Sequence, residues 1–229
     1  MAPQTQVEPR PLPQDRLSGG LRINEIFFSV QGETSRVGLP TVFIRFTGCP
    51  LRCGYCDTEY AFSEGKTLST EEILAEVDKF KPRYVTVTGG EPLAQKPCLG
   101  LLRVLCARYS VSLETSGALD ISGVDPRVSK ILDIKTPASG ESDKNLWGNL
   151  QFMTAHDEIK FVLCNQEDYE WAKTEVQIRN LDQVSPVLFS PAHEQLCAAE
   201  LAEWILRDHL PVRLQVQLHK YLWGSERGR

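Results

Sequence analysis

The 229-residue chain has only four histidines, two methionines and no long hydrophobic run. No stretch approaches the ~18–20 apolar residues that cross a bilayer as a helix, so a membrane-spanning helix is not expected. Positive charge is not in excess either. Lys and Arg number 25 against 30 Asp and Glu, giving a net charge of −5 and a pI near 5.5. A global surface for nucleic acid or anionic membrane is therefore not expected, although a small anionic ligand needs only a few local cations. The first twenty residues, "MAPQTQVEPRPLPQDRLSGG", hold four prolines and lack any apolar stretch. They read as a disordered leader, neither a signal peptide nor a lipidation signal. The expected compartment is cytoplasmic, where thiols stay reduced. The chain as a whole is 41% hydrophobic, enough for one sizeable core. The expected division is a leader over 1–20, a single domain over 21–224 and a short tail over 225–229.

Short β-rich runs follow: "LRINEIFFSV", "TVFIRFT", "RYVTVTGG", "VSLETSG", "KILDIKTP", "DEIKFVLC", "PVLFSP" and "VRLQVQ". They alternate in part with helical segments. "STEEILAEVDKF" opens with Ser69 and places Glu72 three residues on, a capping box, with Ile73, Leu74 and Val77 on one face. "CLGLLRVLCARY", "QEDYEWAKTEVQIR" and "EQLCAAELAEWILRDH" are the other helices. Six or seven of these runs read as short, near-continuously apolar strands, several separated by helices, which indicates a mainly parallel α/β sheet with both faces covered. That is too few strands for a closed eight-fold barrel. The fold expected is a partial, open (β/α)6-type barrel. Ligands of such sheets gather at the carboxyl ends of the strands. The "QGE" turn, the cysteine segment, "TGGEP", "ETSG", "DIKTP" and "SPAH" all follow strands, which brings Glu33, Glu91, Glu114, Asp133, Lys135 and His193 to one expected rim around a shared pocket.

Three of the seven cysteines, Cys49, Cys53 and Cys56, fall within "TGCPLRCGYCDTEY". The other four, Cys98, Cys106, Cys164 and Cys197, are expected to be ordinary buried thiols. The triplet is C-x3-C-x2-C. A structural zinc site takes four ligands, and no fourth Cys or His is near; a distant His193 or His219 would restore that reading. An iron–sulfur cluster takes one thiolate per iron, and three thiolates leave one iron open for chemistry.

The spacing, with Tyr55 just before the last cysteine, resembles the radical S-adenosylmethionine (radical SAM) superfamily. Gly89-Gly90-Glu91-Pro92, directly after a strand, matches that superfamily's second motif. Paired glycines allow close backbone approach to a ligand. "FFSVQGET", "GLPTVFIRFTGC", "CDT", "VTVTGGEPLAQ", "ETSG" and "LQVQLHKYLWG" together resemble the 7-carboxy-7-deazaguanine synthase family over roughly residues 23–224. The resemblance implies a lyase of queuosine (7-deazapurine) biosynthesis. Such enzymes convert 6-carboxy-5,6,7,8-tetrahydropterin to 7-carboxy-7-deazaguanine with loss of ammonia, using a [4Fe-4S] cluster, reusable S-adenosylmethionine and Mg²⁺. It further implies a homodimer, an electron donor such as flavodoxin, and no nucleic-acid or membrane partner.

Carried over by motif, Cys49, Cys53 and Cys56 would hold the cluster, and Thr58 would give an oxygen to Mg²⁺. Gly90, Asp133, Ile134, Lys135, Ser190, Pro191, Ala192 and His193 would contact S-adenosylmethionine. Val30, Gln31, Gly32, Glu33, Arg45, Thr88 and His219 would contact the pterin, Arg45 through its carboxylate. Arg45 could instead serve as the ion-pair partner of a strand neighbour. The role of Glu114 is left open, and the "SERGR" tail is given no contact. "DIKTP" departs from the Ser-Pro-Lys of some members. Two other readings compete: a glycyl-radical-enzyme activase of the same superfamily, and a non-catalytic zinc or iron–sulfur module.

Overall fold

Residues 20–229 are described by the computed structural model. The expected leader lies, apart from Gly20, outside the described residues. Nine strands form one sheet: β1 Leu21–Val30, β2 Pro40–Phe46, β3 Lys66–Leu68, β4 Tyr84–Gly89, β5 Ser110–Thr115, β6 Ser129–Ile134, β7 Glu158–Leu163, β8 Val187–Pro191 and β9 Arg213–Leu214. The order is β3-β1-β2-β4-β5-β6-β7-β8-β9. From β2 to β9 every neighbouring pair is parallel. β1 runs antiparallel to both β2 and β3. The edge strands β3 and β9 do not pair, so the barrel stays open.

Side chains alternate across a strand, and here the two faces have different chemistry. Val42, Ile44 and Phe46 of β2, Val85 and Val87 of β4, Leu113 of β5, Leu132 and Ile134 of β6 and Phe161 of β7 all belong to the buried core. The residues between them, including Arg45, Thr88, Glu114, Asp133 and Lys160, line a cavity. The expectation that both sheet faces are covered is corrected accordingly. Helices cover the convex face, and the concave face carries a polar set.

The helices are α1 Thr70–Asp78, α2 Cys98–Leu105, α3 Gln166–Arg179, the single turn α4 Leu181–Val184, α5 Ala198–Arg207 and α6 Leu218–Trp223. The capping box of α1 forms as expected: Ser69 Oγ accepts from Glu72 N–H at 3.2 Å, and Glu72 Oε2 accepts from Ser69 N–H at 2.7 Å. Asn165 caps α3 by accepting from Asp168 N–H at 2.9 Å. α5 begins four residues later than its sequence pattern suggested, because 193–196 form a turn and bend after β8 and Cys197 is the N-cap. β3, hidden in what reads as a polar loop, has three residues and α6 has six, too few for either to show a period.

Two crossovers lack an α-helix. Between β5 and β6 the chain is irregular, and between β6 and β7 it makes short 3₁₀ turns. Side-chain amides replace helical hydrogen bonding there. Asn149 Nδ2 donates to Gly117 O (3.1 Å) and Leu119 O (2.9 Å), and Asn145 Nδ2 donates to Lys135 O (2.8 Å). Of the four cysteines outside the triplet, Cys98 and Cys164 are buried, Cys106 is partly exposed and Cys197 is exposed. The expectation of four buried thiols is corrected for the last two, which sit at helix ends. No helix among the described residues is long and apolar enough to cross a membrane.

Candidate functional site

The sheet's concave face encloses a cavity of about 660 Å³, within the range of small-molecule sites. Its upper rim is the carboxyl end of the parallel strands. There the loop after β2 brings Cys49, Cys53 and Cys56 to the cavity wall as free, partly exposed thiols. The loop is tied down at its base. Gly48 N–H donates to Ala61 O (2.8 Å), and Glu91 N–H donates to Gly48 O (2.8 Å). Burial raises the Cys49 thiol pKa, and burial pushes Cys53 up to about 11 against the pull of Lys135. Thiols so placed lose their protons most readily to a metal.

The paired glycines have separate reasons. Gly89 has φ +144°, and a Cβ there would lie 2.3 Å from Phe46 N. A Cβ on Gly90 would lie 2.2 Å from Gly48 O and 3.0 Å from Cys49 Cβ. Gly90 thus seats its backbone flush against the cysteine loop. Glu91 does not line the cavity, contrary to the rim expectation. It is fully buried, and its carboxylate accepts from Leu93 N–H (2.9 Å), the Thr115 hydroxyl (2.9 Å) and Ser116 N–H (2.7 Å). It braces the glycine turn against the end of β5.

The remaining S-adenosylmethionine candidates form an arc along the rim. Asp133, Lys135, Ser190, Pro191, Ala192 and His193 line the cavity; Ile134 does not, and its side chain is in the core. Strand alternation dictates that correction, because Ile134 lies between two inward-facing residues. Lys135 Nζ pairs with Asp133 Oδ1 at 3.2 Å, yet that oxygen receives no well-directed hydrogen bond. Thr58 also faces the cavity, with Oγ1 3.8 Å from Cys56 Sγ.

The "QGE" turn occupies a different level. Because β1 is antiparallel, Val30 pairs with Pro40 at the start of β2. The turn therefore lies at the amino end of the parallel strands, not at the carboxyl rim where the sequence pattern put it, and it forms the cavity floor. Gln31 Nε2 donates to Thr86 Oγ1 and to Glu114 Oε1, both at 3.3 Å, and the Thr88 hydroxyl donates to Glu114 Oε2 at 2.8 Å. Lys160 Nζ donates to Glu33 Oε2 at 2.6 Å. Glu33 Oε1 is buried with no hydrogen-bond partner among the described residues.

The two floor carboxyls are driven apart. Burial would raise the Glu33 pKa, but Lys160, with help from His219 and Gln217, holds it below the ordinary value. Burial and the charge of Glu33 hold Glu114 above it. His219, at the start of α6, closes over the floor. A Cβ on Gly32 would lie 1.9 Å from its Nδ1, so glycine is required there, and Leu218 N–H donates to Gly32 O at 2.9 Å. Burial lowers the His219 pKa.

Arg45 does take a strand neighbour as partner. Its Nε donates to Glu25 Oε1 at 2.8 Å, and Tyr60 OH donates to the same oxygen at 3.0 Å. Glu25 and Arg45 are register partners across β1 and β2. Arg45 also lines the cavity. Val30, Gln31, Gly32, Glu33, Arg45, Thr88 and His219 all line the one cavity.

Sequence reasoning left out Lys160, although its position two residues from both Glu158 and Val162 in an alternating strand is a legible signal. It also gave the tail no contact. Ser225, Arg227 and Arg229 line the cavity mouth, and the Arg227 guanidinium stacks 3.8 Å from the Tyr60 ring centroid.

These residues fit a [4Fe-4S] cluster and S-adenosylmethionine. Among the described residues no three of His, Cys, Asp and Glu converge closely enough to ligate one ion. Three thiolates on three different irons need no such convergence. The flush Gly90 and the Asp133 oxygen without a directed hydrogen bond supply the backbone edge and acceptor that an amino-acid-bearing nucleoside requires.

The family model described as the radical SAM superfamily matches residues 43–135, the stretch from β2 through the cysteine loop to the rim of β6. The 7-carboxy-7-deazaguanine synthase of Chlorobaculum tepidum is 44% identical over 210 residues, covering 90% of this chain and 96% of the relative. That of Koribacter versatilis is 43% identical over 222 residues, covering 90% and 98%. Among solved structures, the crystal structure of QueE from Escherichia coli superposes with a TM-score of 0.69 at 25% identity, covering 87% of this chain and 95% of that one. With relatives at 44% and 43% identity each covering 90% of this chain, and the radical SAM model matching its cysteine loop and glycine turn, the chain belongs to the 7-carboxy-7-deazaguanine synthase family of radical SAM enzymes.

Proposed function

We propose that the cavity takes 6-carboxy-5,6,7,8-tetrahydropterin and converts it to 7-carboxy-7-deazaguanine, contracting the ring with loss of ammonia, as a step toward queuosine and related 7-deazapurines. The observation that carries this reading is the pairing of opposite chemistry in one cavity. A buried acceptor, Glu33 Oε1, lies at the floor, and a guanidinium, Arg45, lines the wall. A 6-carboxypterin has the complementary pair: an aminopyrimidinone edge rich in N–H donors, and a carboxylate. A planar guanidinium suits a carboxylate fork.

Cys49, Cys53 and Cys56 would hold the cluster, which together with S-adenosylmethionine would supply the radical chemistry of the reaction. The chain's own residues bind, orient and exclude water. Gln31, Thr88 and Glu114 offer a linked set of donors and acceptors to the pterin ring. Glu114, with its raised pKa, is suited to hold a proton and present it as a donor. Asp133, Lys135 and Ser190 through His193 lie along the nucleoside side, with Ile134 contributing backbone alone. His219 and α6 cover the floor. Thr58, which lines the cavity, would offer a hard oxygen to Mg²⁺, and the ion would supply positive charge to the substrate carboxylate. Residues 21–224 act as one catalytic domain. The enzyme works in the cytoplasm as a homodimer, with a low-potential one-electron donor such as flavodoxin.

Anaerobic reconstitution with iron and sulfide, followed by S-adenosylmethionine, reductant, Mg²⁺ and 6-carboxytetrahydropterin, tests the reading by mass spectrometry. A ring-contracted product with ammonia release is expected. Production of 5′-deoxyadenosine without consumption of the pterin would refute the substrate assignment while leaving the cluster assignment intact.

A further inference from the structure

Lys160 is a cation at the cavity floor that the functional reading leaves without a task. It projects inward from β7 with its side chain 11% exposed, and it donates to Glu33 Oε2 at 2.6 Å. A buried ammonium is costly unless an anion answers it, so its retention there needs a reason. Its surroundings supply one. From the turn after β1 it faces Glu33, from β5 Glu114, from β6 Asp133, from the cysteine loop Tyr55, and from α6 His219. Its register partner on β8 is the apolar Leu188. Arg45 from β2 and Gln217 before α6 complete the polar neighbours of the two floor carboxyls. Of these groups only Glu33 is hydrogen-bonded to Lys160.

The consequence lies in the other oxygen. With Oε2 held by Lys160, Glu33 Oε1 is left buried, unpartnered and in the cavity lining. Without the lysine, a carboxyl so deeply buried beside Glu114 would keep its proton. It would then present a donor as readily as an acceptor. We propose that Lys160 is a positioning residue that acts through Glu33, fixing that carboxylate as a pure acceptor at the cavity floor and so selecting ligands whose edge presents paired N–H donors, as a 2-amino-4-oxopyrimidine does. This inference rests on the pterin reading above. It makes discrimination between an amino and an oxo group at position 2 a property of β7, a strand that supplies no contact in the motif-based assignment.

The test uses the cluster-loaded enzyme with S-adenosylmethionine and measures equilibrium binding, with steady-state turnover as a second readout. Two stable probes are compared by dialysis: 6-carboxypterin, and 6-carboxylumazine, in which an oxo group replaces the 2-amino group. The wild-type enzyme is expected to prefer the pterin by about 10- to 100-fold, the worth of a charge-assisted hydrogen bond. Lys160→Met is expected to lose that preference, with KM rising far more than kcat falls. Its pterin affinity should climb as pH rises and Glu33 ionises, where the wild type changes little. Lys160→Arg keeps the cation and should restore part of the preference. A Lys160→Met enzyme with full iron content and the wild-type preference overturns the proposal. If Lys160→Met does not fold, Glu33→Gln carries the test, and a retained preference there overturns it equally. Wild-type enzyme that binds neither probe would instead overturn the pterin reading, an outcome distinct from the first because it appears before any substitution is made.

Discussion

Gly90→Ala is the most direct probe of how the glycine turn supports the cysteine loop. The added Cβ would lie 2.2 Å from Gly48 O, 2.6 Å from Gly48 C and 3.0 Å from Cys49 Cβ. Ordinary contact begins near 3.4 Å, so the two backbones must part by about 1 Å. They are not free to do so. Gly90 N–H donates to Phe46 O (3.1 Å), and Glu91 N–H donates to Gly48 O (2.8 Å). Overpacking of this kind costs about 1–3 kcal/mol, and a broken backbone hydrogen bond adds about 1 kcal/mol. For a domain of this size each kcal/mol lowers Tm by about 2–4 °C, so a fall of roughly 5–15 °C is expected in the apoprotein. The displaced Cys49 should also lower iron content on reconstitution. Gly54→Ala is the control. It lies in the same loop between Cys53 and Tyr55, and its nearest contact would be Ala138 O at an ordinary 3.5 Å. Thermal melts and iron assays of both variants decide the matter. A Gly90→Ala protein with wild-type Tm and iron content would refute the argument.

Glu25→Gln should weaken the charged anchor of Arg45 and Tyr60, raising KM for the pterin about 10-fold with little change in kcat; an unchanged KM in steady-state assays would count against a positioned Arg45. Thr58→Ala should leave the cluster absorption intact and blunt the response of turnover to added Mg²⁺, as a Mg²⁺ titration would reveal. Glu114 has a raised folded pKa, so its contribution to stability is greatest at low pH and is lost as pH rises through that folded value. Glu114→Gln should therefore stabilise the apoprotein relative to wild type at neutral pH, the advantage vanishing as pH falls below the ordinary carboxylate range; melts over a pH series would expose the opposite sign if it existed.

The parallel order, the cysteine loop and the capping box of α1 were legible because each rests on local chemistry: β-branched runs, short spacing, and a Ser-x-x-Glu pattern. The level of each site residue in the cavity was not. "QGE" and "TGGEP" look alike in sequence, each a glycine turn after a strand. Only the antiparallel pairing of β1 sends the first to the floor and the second to the rim. Glu91 and Glu114 were equally plausible rim acids. The hydrogen bonds from Leu93, Thr115 and Ser116 take up Glu91, whereas Glu114 faces the cavity. Lys160 was readable in principle, since Asp133 and Lys160 are register partners on adjacent strands. Its meaning depends on Glu33, 127 residues away, and no window of sequence holds both.

The floor of the cavity is closed by two segments at opposite ends of the described chain, the turn at Gly32 and the helix that begins at Leu218. A ribosome delivers these ends at very different times. Cys49, Cys53 and Cys56 emerge more than 160 residues ahead of His219, a delay of roughly 10–30 s at ordinary rates of synthesis. Throughout that interval the thiols have no finished sheet around them and no cover beneath. Cofactor insertion is therefore expected to follow release of the complete polypeptide, and a stalled or truncated product would expose a metal-binding loop that it could never shelter.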